Sequence, residues 1–454
     1  MSHQGTQPTQ LYGTEASRPR RRTAFTNGDV PVAVYGLGKM GLPLAAALAR
    51  ASGNVTGVDI DQGVVDAVAA GDCPVDHEPG LASLTSRLVA DGALAATTDG
   101  TRAASDASVH VLIVPTVVRA DGSVELDALE AAVRTVGAGL DPGDLVLIES
   151  TVPPRTTADV VVPTLTGESG LDPGEFGVAF CPERTSSGRA LRDIRGAYPK
   201  VVGGVDAPSQ EAATLVYDVL TTNDVVPVSD ATTAECVKVF EGVYRDVNIA
   251  LANELARLAD ELAVDVREAI EVANGQPYCD IHTPGPGVGG HCIPYYPYFL
   301  ISECTTETPL LRTARAVNDR MASYVVDWLE AQLAARDIAL EDARVALLGV
   351  TYRPGIDETR ASPARRIDRQ LAERGVSAVA VDPVCTDMSP FEATPVEMET
   401  LPEREVDAAV LVTAHEQFET LAASSLPEVV VDTRAAFDAL GEGTRHYTVG
   451  SGLS

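Results

Sequence analysis

Residues 31–50 read PVAVYGLGKMGLPLAAALAR, and residues 54–61 read NVTGVDID. The first stretch is a short apolar run, a glycine turn and an Ala/Leu-rich helix. The second is another apolar run that closes on an acid. Gly36-x-Gly38-x-x-Gly41 therefore falls between a strand and a helix, and Asp59 ends the next strand about 20 residues on. Glycines there permit a tight turn and close approach of a pyrophosphate, and the helix N-terminus favours its charge. An acid at Asp59 takes ribose hydroxyls and repels a 2′-phosphate, which predicts NAD rather than NADP. Lys39 and Met40, inside the turn, complete the expected cofactor loop.

The same alternation extends along the chain. Strand-like runs recur at ASVHVLIVPT, DLVLIES and FGVAF, with helical stretches such as LDALEAAVRTVGAGL between them. From Asp230 to about Glu330 the strands stop, and ATTAECVKVFEGVYRDVNIALANELARLADELAV keeps helical periodicity. ARVALLGVTYRPGIDETRASPARRIDRQLAERGVSAVAVDP then begins a second strand-helix-strand pattern. The expected fold is α/β: two doubly wound Rossmann-like domains joined by a helical middle domain with a long central helix. Its expected divisions are a flexible tail at 1–29, an NAD-binding domain at 30–229, a helical central or dimerisation domain at 230–330 and a second Rossmann-like domain at 331–454.

Composition narrows the class of protein. With 65 Asp and Glu against 34 Lys and Arg, the net charge of -31 argues against binding a nucleic-acid backbone. No apolar run approaches the length of a membrane-spanning helix, so a cytoplasmic protein is expected. Lysine occurs only at Lys39, Lys200 and Lys238. An acid excess with Arg kept and Lys avoided points to a halophilic protein, because concentrated salt screens the repulsion among carboxylates. A lysine retained against that trend is expected to have a job. Seven cysteines without paired spacing indicate neither a disulfide framework nor a metal site.

One of them, Cys292, follows a glycine run in GPGVGGHCIPYYP, residues 285–297. Flanking glycines leave room for a substrate, and a thiolate beside NAD can add to an aldehyde and offer a thiohemiacetal for hydride removal. YGLGKMGLPLA, VPT, ESTVPP, CPER, ECVK, YRDVNIALANEL, GPGVGGHCIP and LGVTYRPGIDETRASPA occur in that order between Val32 and about Arg434. In this the chain resembles the UDP-glucose/GDP-mannose dehydrogenase family, over nearly its whole length except the tail. The resemblance implies NAD-dependent, four-electron oxidation of a nucleotide sugar at C6 to the uronic acid, with two hydrides passing to NAD and a thioester at the position of Cys292. It implies that Lys238 stabilises developing oxyanions and that Glu183 governs proton transfer and water attack. By the same resemblance Thr116, Glu149 and Arg360 lie at the cofactor. Arg184, Gly289, Gly290, His291, Arg353 and Arg434 join Glu183 and Lys238 at the UDP-sugar, and the resemblance makes 331–454 the nucleotide-sugar (UDP)-binding domain. A homodimer or higher homo-oligomer is expected around the helical middle.

GGHCIP with YRDVNIALANEL is most similar to family members acting on UDP-N-acetyl-D-mannosamine; UDP-glucose, UDP-N-acetylglucosamine, GDP-mannose or a catalytically silent sugar-binding role are the alternatives. Two positions depart from the family pattern. Gly242 stands where Asn is common, four residues after the lysine, and Tyr296 where Asp is common, four after the cysteine. Gly275 and Tyr278 stand in the segment before the glycine run, where arginines are often seen.

Overall fold

The structure is a computed structural model that describes residues 10–185, 188–421, 426–437, 440 and 444–453. It divides into two compact units, one formed by residues 1–240 with 298–303, the other by 241–297 with 304–454.

In the first unit, strands β1 (Val32–Tyr35), β2 (Val55–Val58), β3 (Leu94–Thr97), β4 (Val109–Leu112), β5 (Leu145–Ile148), β6 (Gly177–Phe180), β7 (Lys200–Gly204) and β8 (Val225–Pro227) form one sheet. Their order is β8-β7-β6-β5-β4-β1-β2-β3, and every pair is parallel except β6 with β7. β1 (VAVY), β4 (VHVL) and β5 (LVLI) are mostly valine, leucine and isoleucine and are buried throughout, as a sheet covered on both faces requires. The order reverses between β1 and β4, and the carboxyl ends of those strands flank the crevice where open α/β sheets take ligands.

Residues 10–29 are not the flexible tail that their polar composition suggested, and residues 1–9 lie outside the described residues. Leu11, Tyr12, Ala24 and Phe25 enter the core of the first sheet. Helix α1 (Arg18–Thr26) packs on the helix Ala207–Leu220, pairing Arg18 with Asp218 and Arg21 with Glu211. Arg21 Nη1 also donates to the Leu11 carbonyl at 3.0 Å, and the Tyr12 hydroxyl donates to Asp206 Oδ2 at 2.9 Å. A Cβ at Gly177 would come within 2.5 Å of Tyr12 Cδ2, so the glycine admits the ring. Four apolar anchors spaced among polar residues were too sparse to read as periodicity, and the acids that Arg18, Arg21 and Tyr12 meet lie about 190–200 residues away.

The second unit carries β9 (Arg344–Leu348), β10 (Ser377–Val381), β11 (Thr394–Pro395), β12 (Ala408–Leu411), β13 (Val429–Asp432), β14 (Arg445–Thr448) and β15 (Gly452–Leu453), in the order β11-β10-β9-β12-β13-β14-β15. All of its pairs are parallel except β14 with β15. Helices lead up to it: the last part of the 26-residue helix Ala231–Ala256, and the 26-residue helix Pro309–Ala334, whose Met321, Val325 and Leu329 share a core with the sheet. The unit boundary falls inside the first of these helices, after Phe240. Among the described residues no helix is long and apolar enough to cross a membrane.

Removing the aromatic anchor of the N-terminal segment tests its role. Phe25→Ala should lower the unfolding free energy of the first unit by about 3–5 kcal/mol, the range for a fully buried phenylalanine. Denaturant unfolding reads this; a change under about 0.5 kcal/mol is what a dispensable tail would give.

Candidate active site

In the first unit the glycine turn has the shape its spacing implies. Gly36 has φ +98°, and its N–H donates to the Val58 carbonyl at 2.8 Å. A Cβ on Gly41 would sit 1.9 Å from the Gly36 carbonyl oxygen, so only glycine lets the helix Gly41–Ser52 start this close to β1. A Cβ on Gly38 would meet nothing within 4 Å, which leaves open space where a pyrophosphate approaches. Lys39 is exposed beside it. Asp59 accepts from Leu37 N at 2.8 Å and Asp61 N at 3.0 Å, which fixes the carboxylate at the end of β2. Thr116 has a buried hydroxyl with no hydrogen-bond partner. An open glycine cradle, a fixed acid and an orphaned hydroxyl together fit a bound NAD.

Glu149 differs from expectation. Its side chain is buried, with Oε2 held by Lys200 Nζ at 2.6 Å and Oε1 by the Tyr217 hydroxyl, so it is not available to a cofactor. Burial pushes this carboxyl up to about 7 against the pull of Lys200. The residue that follows the strand meets the protein interior here, whereas its neighbour Ser150 turns to the β4 end and donates to Val114 O at 2.8 Å.

Glu183 and Lys238 are brought together. Lys238 Nζ donates to the Glu183 carbonyl, while Glu183 Oε1 accepts from Thr185 N at 2.5 Å. Arg184 turns away and donates to Pro199 O. One helical turn before Lys238, Glu235 is buried and accepts from Arg155 N at 2.5 Å, Thr157 N at 2.7 Å and Thr157 Oγ1 at 2.6 Å. Burial raises its carboxyl, and the hydrogen bonds offset part of the rise. The helix Ala231–Ala256 thus fastens both the CPER segment and the turn at Arg155–Thr157 that follows TVPP. Glu235 opens the ECVK stretch, but nothing in its spacing shows that it caps a distant loop.

In the second unit Cys292 is exposed at the tip of a tight turn, its carbonyl accepting from Tyr295 N and Tyr296 N, both at 3.0 Å. Gly290, with φ +90°, donates to the Arg360 carbonyl at 3.1 Å. The Arg360 side chain is exposed, so it is the arginine's backbone that grips the loop. His291 Nε2 lies 2.9 Å from Glu358 Oε2. Tyr352 backs the glycines: a Cβ on Gly289 or Gly290 would lie 3.0 or 2.9 Å from its atoms. Burial pushes the Tyr352 phenol up, Arg353 pulls it down, and the nearby Cys292 and Glu358 add to the rise. Arg353 lies 5.8 Å from the Tyr352 ring centroid.

The two departures at Gly242 and Tyr296 prove to be one. A Cβ on Gly242 would stand 2.1 Å from Tyr296 Cδ2, so the glycine makes room for a buried tyrosine ring. Upstream, Asn248 Oδ1 accepts from His282 N at 2.8 Å and Asn253 Oδ1 accepts from Gly285 N at 2.8 Å. Asn253 Nδ2 also donates to Asn318 Oδ1 at 2.9 Å, bridging to the helix Pro309–Ala334. These asparagines suspend the segment that leads to Cys292.

Arg434 lies against Gly285 and donates to the Val412 carbonyl at 2.7 Å. Burial brings its guanidinium down to about 10, and a second guanidinium, Arg267, adds to the fall. Arg267 was missed in the sequence because it sits in an ordinary amphipathic helix; it donates to Val449 O at 2.7 Å, Pro284 O at 3.0 Å and Thr433 O at 3.2 Å. Asp432, between them in sequence, is occupied by the Arg434, Ala436 and Phe437 amides. Two guanidiniums that donate to neutral backbone carbonyls suit a diphosphate.

The second sheet opens like the first, with Gly349 at φ +79° after β9 and Asp382 at the end of β10. Its acid, however, is consumed. Val350 N, Thr351 N, Val384 N and Cys385 N donate to it at 2.7–3.0 Å, and His415 Nε2 lies 3.0 Å away. Burial alone would raise the Asp382 carboxyl, but His415 and the amides hold it well below the usual carboxylate range. Asp382 is therefore not open to a ribose.

Family models describe the chain in three parts: the NAD binding domain of the UDP-glucose/GDP-mannose dehydrogenase family at residues 30–221, its central domain at 232–320 and its UDP binding domain at 346–439. The chain belongs to this family. It is an NAD-dependent nucleotide-sugar dehydrogenase. It is 36% identical over 414 residues to the UDP-N-acetyl-D-mannosamine dehydrogenase of Pyrococcus horikoshii, an alignment covering 89% of this chain and 95% of that protein. It is also 36% identical over 423 residues to the NDP-N-acetyl-D-galactosaminuronic acid dehydrogenase of Ralstonia nicotianae, covering 90% and 96%. Among solved structures, that of UDP-D-ManNAc dehydrogenase from Pyrococcus horikoshii matches with a TM-score of 0.86 at 34% identity, over 93% of this dehydrogenase and 99% of that chain.

A double-mutant cycle tests the glycine-tyrosine pair. In the native background Gly242→Ala should destabilise the dehydrogenase by about 1–3 kcal/mol through overpacking. With Tyr296→Ala already present, the same change should stabilise by up to about 1 kcal/mol, the ordinary helix preference for alanine. An identical effect in both backgrounds, read from melting curves, would show that the two positions are independent.

Proposed function

We propose that this dehydrogenase oxidises a UDP-linked N-acetylhexosamine, UDP-N-acetyl-D-mannosamine, at C6 to its uronic acid in two oxidations through a thioester on Cys292. The observation that carries the reading is Cys292 itself, an exposed thiol presented by a glycine turn in a chain that also joins Lys238 to the Glu183 loop. NAD, when bound, accepts the hydride in each oxidation. The thiol adds to the C6 aldehyde, and Lys238 offsets charge on the oxygen that develops there. After the second oxidation Glu183 takes a proton from the water that attacks the acyl carbon, and the thiolate leaves. Arg434 and Arg267 hold the diphosphate. The names of the P. horikoshii relatives favour the mannosamine epimer.

The setting follows from the same features. Free cysteines suit a reducing cytoplasm and the charge of -31 suits concentrated salt. Exposed Tyr244, Leu251, Leu258 and Leu262 form an apolar stripe that a second copy would cover in a homodimer, and a UDP-uronic acid is a polysaccharide precursor.

A panel of UDP- and GDP-sugars with NAD, run at about 0.1 and about 3 M KCl, tests these statements together. Two NADH per UDP-N-acetyl-D-mannosamine are expected, with faster turnover in high salt and a dimer or larger assembly by light scattering. One NADH per sugar would mean an ordinary alcohol dehydrogenase, and sugar binding without NADH a silent paralogue. Cys292→Ala should abolish acid formation; full yield from that variant would exclude the covalent route.

A further inference from the structure

Lys200 has no part in the reaction above, yet it is one of only three lysines in the chain. It opens β7 with its side chain only 14% exposed. The ammonium donates to Glu149 Oε2 at 2.6 Å, to the Cys181 carbonyl at 2.8 Å and to the Pro182 carbonyl at 3.2 Å, and it lies 4.4 Å from the Tyr217 ring centroid. Lys238 donates to the next carbonyl, that of Glu183. Three successive carbonyls are therefore held by two ammonium groups. The Glu183 carboxylate, bonded to Thr185 N, rides on the same loop backbone.

We propose that Lys200, anchored by Glu149 and Tyr217, is a positioning residue that fixes the Cys181–Glu183 backbone and thereby sets where the Glu183 carboxylate meets the water that releases the product. This rests on the role of Glu183 proposed above. In that step the water oxygen bonds to the acyl carbon as Glu183 accepts a water proton. The C–S bond breaks, its electron pair returns to sulfur, and the carboxylic acid so formed gives its remaining proton to the Cys292 thiolate, leaving the carboxylate product and a neutral thiol.

The choice of lysine follows from the acceptors. A carboxylate and two consecutive carbonyls converge on one atom, which an ammonium with three donors can serve. The planar guanidinium fork of arginine spreads its donors over separate nitrogens and suits a carboxylate better than this convergence. That accounts for a lysine kept where the rest of the chain prefers arginine. A displacement of the loop by about 1 Å would cost on the order of 100-fold in the water attack. The two hydride transfers would be untouched.

Lys200 also neutralises a buried carboxylate, so its removal alone would leave Glu149 unpaired and endanger folding. The variant that separates the two effects is Lys200→Met combined with Glu149→Gln, which keeps an acceptor for Tyr217 and leaves no buried charge. Rapid mixing of the full chain with saturating NAD and UDP-N-acetyl-D-mannosamine is the readout. The double variant should stay folded, with a melting temperature lowered by the loss of the Cys181 and Pro182 carbonyl bonds, and should release two NADH per active site at the native rate. Its steady state should then be slowed about 10- to 100-fold with the sugar KM within about twofold. Lys200→Arg, which keeps the ion pair, should show the same slow second phase. Steady-state turnover of the double variant within twofold of native would overturn the proposal, as would a burst slowed as much as the steady state. If the native enzyme makes no NADH, the reaction itself is wrong and the positioning role falls with it. Two NADH from native enzyme with an unaffected double variant overturns the positioning role alone.

Discussion

Beyond the last residue of β6 the chain leaves the sheet ladder, and the carbonyls of Cys181, Pro182 and Glu183 take side-chain ammonium groups as donors. A backbone carbonyl that loses its ladder partner inside a protein costs free energy until a donor is found. Lys200 and Lys238 supply the donors, and each is itself placed by something firmer. Lys200 sits on β7 against the buried Glu149 and Tyr217, and Lys238 sits on the helix that also pins the turn following TVPP through Glu235. The proton transfer proposed for Glu183 depends on this chain of constraints, because a carboxylate on an unsupported loop has no fixed aim.

The two parallel sheets show how one turn geometry serves different ends. Gly36 and Gly349 both follow a first strand with positive φ, and Asp59 and Asp382 both end the second. Asp59 accepts from two amides and stays partly open. Asp382 is closed in by four amides and a histidine. What the second unit offers an anionic ligand is instead cationic, at Arg434 and Arg267.

The cofactor turn was legible in the sequence because it depends on backbone sterics: only glycine fits at Gly36 and Gly41, and that need is visible residue by residue. The alternation of strands and helices was legible for the same local reason. Side-chain direction was not. Glu149 lies in a segment that approaches the cofactor turn, yet its carboxylate faces the interior, and no one-dimensional pattern shows which way a residue at a strand end turns. Gly242 and Tyr296 read as two unrelated departures, since a 54-residue separation hides that one ring fills the space beside one missing Cβ. The N-terminal segment was misread because its partners on Ala207–Leu220 are more remote still. Lysine scarcity was the exception, a compositional signal that marked Lys200 before any contact was known.

The central claim is that Cys292 carries the acyl group which Glu183 helps to release. The most direct test is Glu183→Gln mixed with NAD and UDP-N-acetyl-D-mannosamine, quenched in acid during turnover and digested for peptide mass spectrometry. The account predicts a uronyl adduct on the peptide containing Cys292, in step with two NADH per active site. Two NADH formed with Cys292 unmodified, or with the adduct on another residue, would contradict it.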